Sequence, residues 1–436
     1  MAQKLKFGNG TWATKKGSTL AYNDENNNYK PLPFTTTRNS IGTRVNKEGL
    51  IEVVGNDVPR IDYKDSSDGA LLLENSSTNL IPYSEDFSNA AWDLFRISVT
   101  TENYASPNGS STVKNIIADT SNNTHGIFDF VSASSGIYTS SAFFKANGYN
   151  FACVRISVDG DTKRFSAVID LTNGNVTITD ATGSPTSTSF SVNDYGNGWY
   201  RLSVSCSHSS GSVYLTISPS STSNPTFSSS LPSFLGDGTS GVLVFGAQLE
   251  VGSYPTSYIP TSGSTVQRAA DTANGAGNSE VFNDSQGVLF ANIAALADDA
   301  TYKTITLNNN SATDRIQISI NSNYIYMSVR DNNVTQAFDG VSVTEATNFS
   351  KVAASYKVND CNLWINGFKV FTDTSASMPS GLSQISFDKG DGGDDFYGKT
   401  KEIGYYDEIL TDLELETLTS YRSLNELVTE LNLNEL

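Results

Sequence analysis

Three Cys, two His and four Trp in 436 residues leave little material for thiol or metal chemistry. Cys153, Cys206 and Cys361 are far apart and sit in or beside alternating apolar runs. That placement reads as buried thiols rather than a disulfide framework, with a Cys153–Cys206 bridge left open. His125 and His208 have no metal-ligand spacing and read as solvated loop histidines. Basic residues are also scarce, 28 against 46 acidic, for a formal charge of -18. Such a balance repels nucleic acid and anionic membranes, so neither is an expected partner. No apolar run reaches the length of a membrane span, and "MAQKLKFGNG" has no signal-like apolar core. No nucleophile elbow, zinc-protease helix or phosphate loop occurs, and none of the many carboxylates stands as a distinctive pair. The reading is therefore of a protein that is not an enzyme.

What is abundant is Ser, Thr, Asn and Gly, with charged residues at only 17%. This mix favours short strands and turns over long exposed helices. Residues 1–65 are polar and turn-rich and are expected to form an arm or attachment segment, too sparse for a large core. Residues 66–265 hold many period-two runs. Tyr200, Leu202, Val204 and Cys206 share one strand face, as do Val213, Leu215 and Ile217 after a Ser-Ser-Gly turn. In "GVLVFGAQLEV" the same spacing puts Leu243, Phe245, Ala247 and Leu249 together. Residues 266–280 are small and polar, a linker. Residues 281–415 repeat the theme, with Ile325, Met327 and Val329 on one side and an Asn366-Gly367 hairpin turn. Over 416–436 the period changes to helical, and Thr411-Asp412 marks a helix start. Its leucines (Leu413, Leu418, Leu424, Leu427 and Leu431) either cover the parent domain or meet a symmetry mate. The expected fold is all-β: two antiparallel β-sandwich, jelly-roll domains, with an N-terminal arm and a short C-terminal helical tail.

Two features invite a ligand. "DKGDGGDDF" gathers Asp388, Asp391, Asp394 and Asp395, an oxygen-rich loop suited to Ca²⁺ or simply a solvated turn; no other cofactor is implied. Aromatic residues on strand faces could stack on sugar rings. Trp199, Trp364 and Tyr406 are the candidates for glycan binding or for an interface, with Tyr200 and Tyr405 beside them. In "GAQLEVGSYPTSYIPT", Pro255 and Pro260 stop regular pairing, and Tyr254 and Tyr258 read as anchors for the exiting chain rather than a ligand loop.

Three stretches resemble a family of tailed-bacteriophage virion structural proteins: "TRNSIGTRVNKEGLIEVVGNDVPRIDY" (37–63), "GALLLENSSTNLIPYSEDFSNAAW" (69–92) and "FGAQLEVGSYPTSYIPTSGSTVQRAAD" (245–271). The region 281–415, through "KVAASYKVNDCNLWINGFKVF" and "FYGKTKEIGYYDEILTDLELETL", resembles laminin-G-like, concanavalin-A-like sandwiches. The resemblance implies a fibre, tail or head-appendage protein, present in the virion and made in the host cytoplasm. It also implies that residues 66–265 form a carbohydrate-binding-module-like sandwich. Expected partners are other virion proteins, further copies of the chain (a trimer favoured) and host-surface glycan. A dedicated host-glycan receptor and a polysaccharide depolymerase are the alternatives. Family members often carry an Arg before the Thr-Asn-Leu element, where this chain has Ser77. Any contact of that Arg is expected to be absent or replaced.

Overall fold

A computed structural model describes residues 3–430. It is almost entirely β, with two short helices near its end. The chain divides into two compact units: residues 1–41, 54–75 and 269–436 form one, and residues 42–53 and 76–268 the other. The expected arm and linker are therefore not separate bodies.

In the first unit a ten-stranded sheet and a five-stranded sheet share one apolar core. The strand Gly398–Tyr406 is central, pairing antiparallel with Gln286–Ala295 on one side. On its other side it pairs with Leu5–Gly8 and, further along, with Ala70–Leu73. Leu5, Phe7, Phe34, Leu71 and Leu73 all lie in that core. This corrects the reading of residues 1–65 as an arm too poor to build a core. The few apolar residues there complete a sheet whose other strands come from the far end of the sequence. The five-stranded sheet runs in the order Val334–Ser342, Tyr324–Asp331, Arg315–Asn321, Lys303–Asn308 and Gln384–Ser386. Ile325, Met327 and Val329 enter the core from it, as alternation requires. Asn366 and Gly367 both take positive φ, 49° and 88°, the backbone that a tight Asn-Gly hairpin turn demands.

Helix α1 (Asp412–Thr419) begins at Thr411, whose side chain accepts from the Glu414 backbone N–H while Glu414 accepts in return from the Thr411 N–H. Leu415 and Leu418 pack with Trp364, Phe290 and Leu410, so α1 covers its own sheet. Leu413 is instead 72% exposed, since it falls on the opposite face of the helix. Helix α2 (Leu424–Glu430) is held by Lys351 Nζ, 2.5 Å from Glu426 Oε1. Leu424 is exposed. Leu431 and the residues after it lie outside the described residues.

The second unit is built on two six-stranded antiparallel sheets that share a core. The chain crosses between these sheets at Asn147-Gly148: Gly136–Asn147 belongs to one and Phe151–Val158 to the other. Tyr200–His208 and Ser212–Ser220 divide in the same way. Leu202, Val204 and Cys206 face this core. In the strand Gly241–Val251, however, Leu243 and Phe245 face away from Ala247 and Leu249. The expected single face is broken at Gly246, which has φ of 60°. Opposite it the pairing register shifts between Ser141 and Phe143. A bulge of this kind inverts the parity of every side chain beyond it.

All three thiols are buried and unbridged. Burial pushes Cys153 up to about 12 and both Cys206 and Cys361 up to about 11.

Candidate functional site

Residues of the three sequence stretches that carry the phage resemblance bond to one another. In the first unit, Asp271 accepts from Arg38 Nη1 at 3.0 Å and from the Glu74 backbone N–H at 3.0 Å. It also pairs with Arg60 Nη2. Arg60 Nη1 donates to Glu74 Oε2 at 2.6 Å. All four side chains are buried. Burial works against the Arg60 charge, but Asp271 and Glu74 outweigh it and hold the guanidinium above its ordinary value. Arg38 also donates to the carbonyls of Ser40, Gly55 and Val58. A cavity of about 10 Å³ beside Arg38, Arg60 and Asp271 has room for one water at most. This constellation braces crossing chain segments and offers no cleft to a substrate.

In the second unit, the Tyr258 hydroxyl lies 2.7 Å from Ser84 Oγ and donates to Glu85 Oε1 at 2.9 Å. Burial holds the Glu85 carboxyl above its usual range, against the Tyr258 hydrogen bond. The Tyr258 ring packs against Phe143 and Phe245. Thr43 Oγ1 donates to the Tyr258 carbonyl at 2.5 Å. Tyr258 is thus an enclosed anchor. Tyr254 is half-buried. Glu250, fully buried, accepts from Ser77 Oγ at 2.7 Å, Gln248 Nε2 at 2.6 Å, the Thr256 N–H at 3.0 Å and Thr256 Oγ1 at 2.7 Å. Ser77 meets this carboxylate through a short neutral hydroxyl.

The remaining sequence candidates are placed as follows. Trp199 is 2% exposed, its Nε1 donating to the Ala105 carbonyl at 2.9 Å, in a cluster with Phe143 and Phe245. Trp364 is 5% exposed under α1, and Tyr406 packs partly buried in the same cluster. Neither indole presents a face to a sugar ring. Tyr405 is buried, its hydroxyl 3.0 Å from that of Tyr356, and Tyr200 leans on the second unit's core.

The acidic loop does not converge. Asp388 is buried, accepting from the Gly390 N–H at 2.6 Å and from Asn274 Nδ2 at 2.9 Å. Asp391 and Asp394 face Lys389, and Asp395 accepts from the Tyr397 hydroxyl at 2.9 Å. Among the described residues no group of three or more acidic, Cys or His side chains could hold a metal ion, so the calcium expectation finds no ligand set. Each carboxylate is drawn to its own local donor instead.

Both histidines are buried, not solvated. The His125 ring lies tilted at 41° with its centroid 4.6 Å from that of Phe234, and burial lowers its pKa despite Asp119 at 3.1 Å. His208 Nδ1 accepts from the Asp159 N–H at 3.2 Å.

A cleft of about 400 Å³ is lined by residues 279–285, Gly381, Leu382 and Asp407. Its Asp284 is already engaged by the backbone N–H groups of Gly381 and Leu382, at 2.7 and 2.9 Å.

The outer face of the five-stranded sheet carries exposed rings, Tyr302 and Phe338, over side chains that are themselves buried, Tyr326 at 5% among them. Opposite the core residues Ile325, Met327 and Val329, the same strand presents Tyr324, Tyr326, Ser328 and Arg330. Tyr326 is the hub, with ring centroids 6.2 Å from Tyr302, 6.2 Å from Tyr324 and 5.0 Å from Phe338. Tyr326 sits opposite Gly340, where a Cβ would collide with it. Burial pushes its phenol up to about 12. Tyr302 is 50% and Phe338 58% exposed. A second aromatic row, the half-buried Phe95, Phe128 and Tyr214 with the exposed Phe130, lies on the outer face of a sheet in the second unit. The sequence reading missed both rows. For Tyr324 and Tyr326 the signal was present, in the residues that alternate with Ile325, Met327 and Val329.

No protein-family model matches this sequence, and no curated protein matches it. Among solved structures, the CBM40 of a Ruminococcus gnavus IT-sialidase, bound to α2,3-sialyllactose, is similar at 17% identity and TM-score 0.28, over 32% of this chain and 84% of that one. A leech intramolecular trans-sialidase is similar at 15% identity and TM-score 0.26, over 32% of this chain and 24% of that one. The binding domain of botulinum neurotoxin serotype G is similar at 16% identity and TM-score 0.27, over 34% of this chain and 39% of that one. At these scores the likeness has no bearing on function. No helix among the described residues is long and apolar enough to cross a membrane.

Proposed function

We propose that the chain is a non-catalytic attachment and assembly protein, a fibre or appendage component of a tailed-phage virion. The observation that carries this reading is that residues of the three resembling stretches meet in buried hydrogen-bonded networks: Arg38 and Arg60 with Glu74 and Asp271, and Ser77, Ser84 and Glu85 with Glu250 and Tyr258. The shared pattern therefore has a structural purpose, bracing chain crossings, as expected of a particle component that must keep its shape. On this reading the second unit acts as a carbohydrate-binding-module-like sandwich and the first as a laminin-G-like one. The protein is assembled in the host cytoplasm into the particle, with a trimer multiplying weak contacts by avidity. Immunogold labelling of intact particles with antibodies to the chain tests it. Gold at one fixed position on the particle is expected, and unlabelled particles would remove the reading.

A second reading, a dedicated receptor for host glycan, is favoured by the ring row of Tyr302, Tyr324, Tyr326 and Phe338 on an outer sheet face. Both readings work by binding alone. A depolymerase reading has no specific observation in its favour.

A further inference from the structure

Arg315 and Arg330 stand directly opposite each other on neighbouring strands of the five-stranded sheet, both on its outer face. Like charges in that relation repel. Among the described residues neither has a carboxylate oxygen within 4.0 Å. Arg315, 7% exposed, donates through Nε to Gln317 Oε1 at 2.7 Å and through Nη1 to the Ala312 carbonyl. Arg330 Nη2 donates to the Asn333 carbonyl at 2.9 Å, while its Nε is buried without a hydrogen-bond partner. The carboxylates nearest in influence, Asp391 and Asp394, lie 3.9 and 3.7 Å from Lys389. Their loop reaches the sheet at Thr304 and Thr306, so Arg330 stands one strand further from it than Arg315. A protein of net charge -18 thus keeps two adjacent guanidiniums with no carboxylate in contact, Asp391 and Asp394 acting on Arg315 only from a distance.

The rings adjoin this pair. Tyr324, Tyr326, Ser328 and Arg330 follow one another along a single strand face, which spans about 20 Å at the usual rise. Phe338 is paired with Ser328, between Tyr326 and Arg330. Gln317 and Ser319 line the neighbouring strand. We propose that this face binds an acidic oligosaccharide, its carboxylate on Arg330 and its sugar rings along Phe338 and Tyr324, with Tyr326 and Arg315 buried beneath as their support. The proposal rests on the attachment reading above and names the chemistry of its ligand.

Three considerations favour this occupant. A guanidinium fork matches a carboxylate in geometry as well as charge. The exposed ring of Phe338, with the guanidinium donors of Arg330 on the same sheet face, suits a ligand that is apolar on its ring faces and polar at its edges. A nucleic acid or a second copy of this chain would bring far more negative charge against a surface that is acidic overall than an oligosaccharide with a carboxylate on every second sugar.

The full chain is titrated by calorimetry with a tetrasaccharide of alternating glucuronate and glucose, and with cellotetraose as the neutral counterpart. The acidic sugar is expected to bind at least about tenfold more tightly than cellotetraose. Arg330→Gln and Phe338→Ser are each expected to weaken it by about tenfold with the melting temperature unchanged, and Arg330→Lys to restore only part of the loss. Equal binding of both sugars, binding of neither, or binding untouched by Arg330→Gln and Phe338→Ser would overturn the assignment. So would a self-association in sedimentation that Phe338→Ser abolishes, because the face would then belong to a second copy. If both variants still coat host cells as the wild type does, this face is not the site while attachment stands. If the wild-type chain coats no host cell, the attachment reading itself falls, and this assignment with it.

Discussion

Ser77 Oγ donates to Glu250 Oε2 at 2.7 Å, inside the second unit and out of reach of water. A carboxylate so placed needs every donor it has. Removing one by Ser77→Ala is expected to destabilise the protein by about 1–3 kcal/mol. Equilibrium unfolding in urea checks this through a lower midpoint at unchanged slope.

Tyr258 makes the same kind of argument about the chain that leaves the strand Gly241–Val251. Tyr258→Phe keeps the ring contacts with Phe143 and Phe245 and loses the hydroxyl between Ser84 and Glu85. A loss of about 1–2 kcal/mol in stability is expected, with binding to cells unchanged. A variant as stable as the wild type that no longer binds cells would restore the ligand-loop reading of this segment.

Arg60 is held between Asp271 and Glu74 with no access to solvent. Arg60→Met leaves two buried carboxylates short of their shared cation. The expected cost is about 3–5 kcal/mol, read in thermal unfolding, and the loss should be much smaller when Glu74→Gln is made in the same chain.

Asp129 carries a pH signature. Its side chain is buried on the inward face of the strand Gly126–Ser132, and Oδ2 has no hydrogen-bond partner. Burial, aided by Asp93 and opposed by the Phe130 N–H, raises its pKa to about 6. The unfolded value is about 3.9, so between about pH 4 and 6 the folded state binds more protons than the unfolded one. This group's contribution to stability therefore declines as pH rises through that window and stays low above it. Asp129→Asn should flatten that slope and, at pH 7, raise stability by about 2 kcal/mol. Unfolding midpoints measured at pH 4.5 and 7 for both proteins check the sign.

Much of this fold is legible in the sequence wherever local pattern and long-range packing agree. Asn366-Gly367 specifies its turn by backbone chemistry alone, Thr411 and Glu414 specify a helix start, and Ile325, Met327 and Val329 specify a buried face. Legibility fails where one residue changes the rule. Gly246 inverts the parity of its strand, so spacing unites Leu243 with Leu249 although they face opposite ways. It fails again where a short segment is completed by a distant one, as Leu5–Gly8 is by Gly398–Tyr406. The candidate site was hidden for a related reason. Tryptophans such as Trp199 and Trp364 draw the eye as sugar platforms, but large apolar rings are what cores take up first. The exposed rings are Tyr302 and Phe338, and they pack on Tyr326, a buried tyrosine that only the parity of its own strand places on the outer face.

The central claim is attachment without turnover. It is tested most directly by incubating the full chain with acidic polysaccharide from the host surface and following both masses by light scattering during gel filtration. The account predicts that the chain elutes with the polysaccharide and that the polysaccharide keeps its length however long the incubation runs. Polysaccharide that shortens with time, or a chain that elutes as if no polysaccharide were present, would contradict it.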